Sequence, residues 1–251
     1  MKLTTVFVAV LLVFLSLAAA AQQSNEGTIV PVMLNRTLDA RHAKPGERIS
    51  GRIMQDVSLP DGATIPRGAT IVGHIVSARP ATAASGSQLV LKFDQIEFGG
   101  RQAPVAAALR ALASANEVFE ARLPTNAIDD FGTSPSDWNT VQIGGAGVYR
   151  GNGEVVSGNE VVGRATDYGA VTAKLLAAPE RGCSGTSQRE QALWKFSPWA
   201  CGAYGLGELQ VVRSQEAADA DEIVLQSARN IRIDGGSGWL LRVLPAGRAL
   251  P

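Results

Sequence analysis

Between residues 27 and 102 short apolar runs alternate with turn-forming clusters, a rhythm that predicts strands rather than helices. Thr28-Ile29-Val30-Pro31-Val32-Met33-Leu34 is β-prone and carries a proline, which predicts an edge or first strand. Lys44-Pro45-Gly46 reads as a turn, and Ile49, Ile53 and Val57 follow among polar neighbours. Leu59-Pro60-Asp61-Gly62 marks the next turn, before the runs at 70–76 and 89–98. In the second of these, Leu89, Leu91 and Phe93 share one face, whereas Ile96 and Phe98 fall on the opposite parity. That switch predicts a bulge near Asp94-Gln95.

Residues 103–122 carry two patterns at once. Val105, Leu109, Leu112 and Phe119 make a helical stripe, while Val105, Ala107 and Leu109 alternate as a strand would. The sequence leaves both readings open. Residues 124–160, rich in Gly, Asn, Asp, Ser and Pro, read as long loops around a strand at 140–143. A short helix is expected within 166–178. Another is expected from the capping-box pattern Ser187-Gln188-Arg189-Glu190, running to Trp194. Strands return at 209–212, 222–227, 231–233 and 239–244, with Asp234-Gly235-Gly236-Ser237-Gly238 as a hairpin between the last two.

The first 21 residues follow a different pattern. Met1-Lys2, an apolar run from Val6 to Leu17, and Ala18-Ala19-Ala20-Ala21 before Gln22 give the order of a cleavable secretory leader. The run is shorter than the roughly 20 residues that a spanning helix needs. Without it about 230 residues remain, enough for one large β domain or two small ones. Lys and Arg number 23, balanced by 23 Asp and Glu, and no run of basic residues stands out. A neutral chain lacks a whole-molecule field for nucleic acid. The 27 glycines and a charged fraction of 18% fit turn-rich β structure. In an oxidising compartment Cys183 and Cys201 form one disulfide. Its loop would contribute roughly 3 kcal/mol in the chain-entropy view.

Candidate chemistry is sparse. The two histidines, His42 in a polar loop and His74 in mid-strand, lack a nucleophile elbow: Gly182-Cys183-Ser184-Gly185-Thr186 misses the final glycine of that motif. With so few histidines and two distant sulfurs, the chain offers no metal site. The loop from Gly144 to Gly151 misses the dinucleotide spacing by one residue, so no cofactor is expected. Acidic pairs stand at Asp129-Asp130 and in Asp219-Ala220-Asp221-Glu222. No catalytic set emerges. The segment from Trp194 to Tyr204 gathers aromatics, and Trp194, Trp199 and Tyr204 are candidate binding residues, with packing around the disulfide as the alternative. Asn35-Arg36-Thr37 is a glycosylation sequon, meaningful only in a eukaryotic secretory pathway.

Two resemblances follow. Arg52 to Val57, the turn Ile65-Pro66-Arg67-Gly68-Ala69-Thr70-Ile71-Val72-Gly73 and Leu89 to Phe93 together resemble part of the periplasmic barrel of TrbI-type conjugation and type IV secretion channel proteins. The likeness covers about 50 residues and implies a similar barrel. Val30 to Leu34, Leu38-Asp39-Ala40 and Ala200-Cys201-Gly202-Ala203-Tyr204-Gly205 resemble exported bacterial proteins without an assigned function. The sequence thus predicts a mainly β fold, with a barrel-like or sandwich-like core, long loops and one to three short helices. Its expected divisions are a leader at 1–21, a barrel-like module at 22–115, a loop-rich region at 116–180 and a disulfide-stapled β region at 181–251 completing the same domain. The expected function is non-enzymatic binding or assembly in the periplasm, at the envelope or outside the cell. An envelope protein or polysaccharide is the expected partner, nucleic acid is not, and no membrane span is expected in the mature chain. The oligomeric state stays open. The competing readings are a hydrolase of envelope polymers using Asp94, Asp129 or Asp130, and a secretion-channel component.

Overall fold

A computed structural model describes residues 27–59, 62–121, 137–150, 153–157, 159–166, 170–178, 183, 186–212 and 221–245. The expected leader, Asp129-Asp130 and Asp219 lie outside them. In chain order the elements are β1 (Thr28–Leu34), β2 (Leu38–Asp39), β3 (Arg48–Ile53), β4 (Val57–Ser58), β5 (Thr64–Ile65), β6 (Thr70–Arg79), β7 (Ser87–Phe98), β8 (Arg101–Ala113) and helix α1 (Ala115–Glu120). Then come β9 (Asp137–Gln142), β10 (Gly145–Arg150), β11 (Glu154–Ser157), β12 (Glu160–Ala165), β13 (Val171–Lys174) and β14 (Glu190–Trp194). The last are β15 (Gly202–Tyr204), β16 (Gln210–Val212), β17 (Glu222–Ser227), β18 (Arg232–Ile233) and β19 (Gly238–Pro245). The fold is mainly β. Among the described residues no helix is long and apolar enough to cross a membrane.

Six antiparallel strands close a barrel in the order β8-β19-β1-β3-β6-β7, with β7 returning to β8. The β7–β8 hairpin pairs only from Gln95–Phe98 to Arg101–Pro104, and then its strands part. β17 fills the gap on β7, β16 extends β17, and β15 pairs in parallel with the end of β8. Period two decides what faces inward. Val30, Val32 and Leu34 of β1 meet Ile49, Ile71, Leu91, Leu109, Leu241 and their neighbours in one buried cluster. At its heart Phe93 and Trp239 pack edge to face, ring centroids 5.9 Å apart at 81°. The interior is therefore a filled core rather than a channel.

A second sheet, an antiparallel meander in the order β14-β13-β12-β11-β10-β9, is inserted between α1 and β15. Its Val155, Val162, Val171, Ala173 and Leu193 pack with Ile29, Ala111, Ala113 and Leu240, residues of β1, β8 and β19. β1, the C-terminal end of β8 and the start of β19 are consequently buried on both faces. Pro31 is accordingly not on an edge: β1 lies between β19 and β3. The proline, which has no N–H to donate, sits one residue before the pairing to β3 begins at Val32.

Bulges explain most of the ambiguous patterns. Val72 pairs with Gln95 and Gly73 with Phe93, so Asp94 is the extra residue, where the parity switch predicts it. On β8, Ala111 pairs with Leu240 and Leu109 with Leu241, leaving Arg110 extra. This bulge turns Leu112 back into the barrel after Ala107 and Leu109. The apparent helical stripe at 103–122 is therefore a bulged strand followed by the six-residue α1, which Ser114 caps by accepting from the Glu117 amide.

Three expectations are corrected. Residues 171–174 form a strand and not a helix, because Val171, Ala173 and Leu175 bury at period two. Residues 190–194 form β14: the Ser187 hydroxyl bonds the Arg189 backbone in a local turn instead of capping a helix. The 234–238 turn does not make a hairpin, since β18 pairs with β2 and β19 with β1 and β8.

Gly73 tests the first bulge. A Cβ there would be driven into the Lys92 carbonyl oxygen and lie 2.7 Å from Phe93 Cα. Gly73→Ala should lower stability by about 3 kcal/mol, read as a lower urea midpoint at constant slope. An unchanged midpoint would show that the strands are not that close.

Candidate functional site

Asp94 and His74 illustrate what a bulge can do. As the extra residue of β7, Asp94 has its Oδ2 2.8 Å from His74 Nδ1. Both side chains are about two-fifths exposed, at 38% and 42%. His74 lies between Arg48 of β3 and Lys92 of β7 in the pairing register. Arg48 in turn reaches Glu97 at 3.1 Å, and Lys92 reaches Asp221 at 2.5 Å. The outer wall of β3, β6 and β7 thus carries two ion pairs on either side of the Asp94–His74 hydrogen bond. Asp94 faces a histidine here, and Asp129 and Asp130 lie outside the described residues.

The three aromatic candidates converge on the junction between the two sheets. Trp194 is 4% exposed within the interlayer core, and its backbone is in the left-handed region at φ 46°. For a bulky residue that conformation costs roughly 1–2 kcal/mol. It sits where β13 and β14 slip register, Val171 pairing with Trp194 and Thr172 with Ala192. The buried Gln55 side chain holds it by accepting from the Trp194 amide at 2.6 Å. Trp199 and Tyr204 are half-buried against the same core. The Tyr204 hydroxyl accepts from the Cys201 amide at 2.9 Å. A Cβ on Gly144 would lie 2.7 Å from that hydroxyl and 3.0 Å from Ala200 Cα, so only glycine fits the turn.

Cys183 and Cys201 are joined in a buried disulfide, with Cα atoms 6.0 Å apart. Beside it, Arg110 is 5% exposed. Its Nε donates to the Ala200 carbonyl and its Nη2 to the Leu176 carbonyl, each at 3.1 Å. The bulge on β8 thus aims a guanidinium across the junction into the loops flanking the disulfide. Sequence reasoning missed Arg110, although one arginine within Ala106-Ala107-Ala108-Leu109-Arg110-Ala111-Leu112-Ala113 was a visible signal.

A third cluster lies at one end of the barrel. The ribbon of β2 and β18 places Asp39 opposite Arg232. Arg41 grips the Asp39 carboxylate through Nη2 at 2.6 Å and Nε at 3.0 Å, and its own amide donates to Oδ1. His42 and Arg232 approach the same carboxylate at 3.6 and 3.9 Å. The hydrogen bond from the Arg41 guanidinium, against a smaller opposing effect of burial, holds Asp39 well below the usual carboxylate range.

No protein-family model matches the chain, and no curated protein matches it in sequence. Among the described residues no group of three or more His, Cys, Asp or Glu side chains is placed to hold a metal ion.

Two predictions follow from these contacts. Arg110→Met leaves two inward carbonyls without their donor and should cost about 3 kcal/mol in chemical denaturation. A change below measurement error would remove Arg110 from the junction. For Asp39 the folded-state value lies below the unfolded value of about 3.9. Its ionised form therefore adds stability above that pH, and the gain disappears as pH falls toward the folded-state value. The melting-temperature advantage over Asp39→Asn should be full at pH 7 and shrink steadily below about pH 4. A gap constant down to pH 2 would contradict the ion pairing.

Proposed function

We propose that this chain is an exported, non-catalytic protein of the cell envelope or its surroundings that acts by binding or assembly. The observation that carries the reading is the packed interior: with Phe93 and Trp239 filling the barrel, ligand recognition falls to its outer surface and loops. The Cys183–Cys201 disulfide supports an oxidising compartment, outside the reducing cytosol. The barrel is the scaffold, and the second sheet stiffens one wall of it. Trp199 and Tyr204, half-exposed beside the disulfide, remain candidate contacts. The TrbI-like turn has a local cause as well: Gly68 adopts φ 89° and the Ala69 amide closes onto the Pro66 carbonyl. A channel role would require ring-shaped oligomers.

One observation favours the hydrolase reading, the hydrogen bond that Asp94 makes to His74. Turnover assays separate the two. The purified exported protein should have both thiols blocked to alkylation and should cleave neither envelope glycans nor peptides. Cleavage abolished by Asp94→Ala would replace this reading with a hydrolase, and freely alkylated thiols in protein purified from its native cells would remove the disulfide's support for export.

A further inference from the structure

The three loop segments at the β2–β18 end of the barrel, 35–47, 80–86 and 228–237, are laced together. The Ala40 amide donates to the Ile231 carbonyl at 3.0 Å, the Ala81 amide to Asn230 Oδ1 at 2.8 Å, and the Ile231 amide to Ser87 Oγ at 3.3 Å. Gly46 donates to the Ile75 carbonyl, and Gly236 to that of Leu34. These bonds tie each loop to a neighbour or to a barrel strand, so their side chains are held in place before any ligand arrives.

The platform carries Arg36, Arg41, Lys44, Arg229 and Arg232, with Arg79 where β6 enters it. Against these six cations stand Asp39, Glu47 and Asp234, and α1, which packs against Gly236 and Gly238 at the same end, adds Glu117 and Glu120. The geometry strengthens the imbalance. Asp39 is recessed, its side chain 10% exposed, behind Arg41 and Arg232 at 51% and 56%. Arg36, Lys44, Arg79 and Arg229 are exposed and make no ion pair among the described residues. Of the exposed charges at this end six are cations and three, Glu47, Glu120 and the Arg232-paired Asp234, are carboxylates, and much of the positive excess is guanidinium, which suits bidentate contact with carboxylate or sulfate.

We infer that this loop platform binds an acidic polysaccharide, deepening the binding reading above and resting on it. The three loops contain no Phe, Tyr or Trp on which a base could stack, which disfavours single-stranded nucleic acid. Leu38, Ile231 and Ile233 are buried, so no apolar side chain of the ribbon is offered to a lipid surface. A polymer read by its charge fits what remains, and its affinity falls as salt rises.

The test is titration of the leaderless chain, 22–251, with polygalacturonate, with uncharged dextran, single-stranded DNA and anionic phosphatidylglycerol vesicles alongside. Polygalacturonate should bind in a salt-dependent way and dextran should not. Arg79→Glu/Arg229→Glu should weaken polygalacturonate binding about tenfold or more. The control Lys174→Glu/Arg189→Glu makes the same charge change near the second sheet and should leave the affinity within about twofold. Melting curves establish that both double variants fold. Equal losses in the two variants, no binding of polygalacturonate, or tighter binding of DNA or vesicles would each overturn the assignment. Thiol protection and absence of turnover would stand unaltered by any of these results, so the general binding reading can survive the loss of this ligand.

Discussion

Strand β19 (238–245) is the piece on which the remaining architecture depends. It pairs with β1 from Thr28 to Met33 on one side and with β8 from Val105 to Ala113 on the other, closing a barrel whose other strands precede it by more than a hundred residues. Its Trp239 fills the interior against Phe93, while Leu240, one residue on, packs outward under the second sheet. One strand therefore seals the barrel and seats the layer beside it. The long sequence separation makes this closure costly in chain entropy, and burial on both faces of the strand is the favourable contribution that opposes it.

Given that frame, bulges distribute the chemistry. Each extra residue breaks strict alternation and re-aims one side chain: Asp94 onto His74 at the outer wall, and Arg110 into the junction beside the disulfide. At the β13–β14 slip, Trp194 takes a strained backbone that Gln55 holds. Arg110 in particular reaches the loops at Leu176 and Ala200, which a strictly pleated β8 would not have aimed it at. The unaltered barrel wall carries little besides solvated charge pairs, which contribute modestly to stability.

Legibility in the sequence followed the range of the interactions. Local alternation was enough for β1, β3, β6 and β7 and even for the bulge at Asp94, because period two and its interruption are encoded within ten residues. The strands at 171–174 and 190–194 were read as helices because their short runs lack a period long enough to separate from a turn of helix. The 234–238 turn was recognisable, but not that its flanking strands join different partners, since pairing across about 200 residues leaves no local trace. The disulfide could be expected from cysteine count alone. The basic platform could not: its cations stand singly in three segments spread from residue 36 to 232, and only the β2–β18 ribbon and loop hydrogen bonds gather them.

On the reading proposed above, recognition belongs to one end of a filled barrel. Amide hydrogen exchange of the protein, with and without saturating polygalacturonate, puts this to the test. The account predicts added protection concentrated in 35–47, 80–86 and 228–237, with the second sheet at 137–174 unchanged. Protection centred on the segment from Trp194 to Tyr204, with the three loops unaffected, would contradict it.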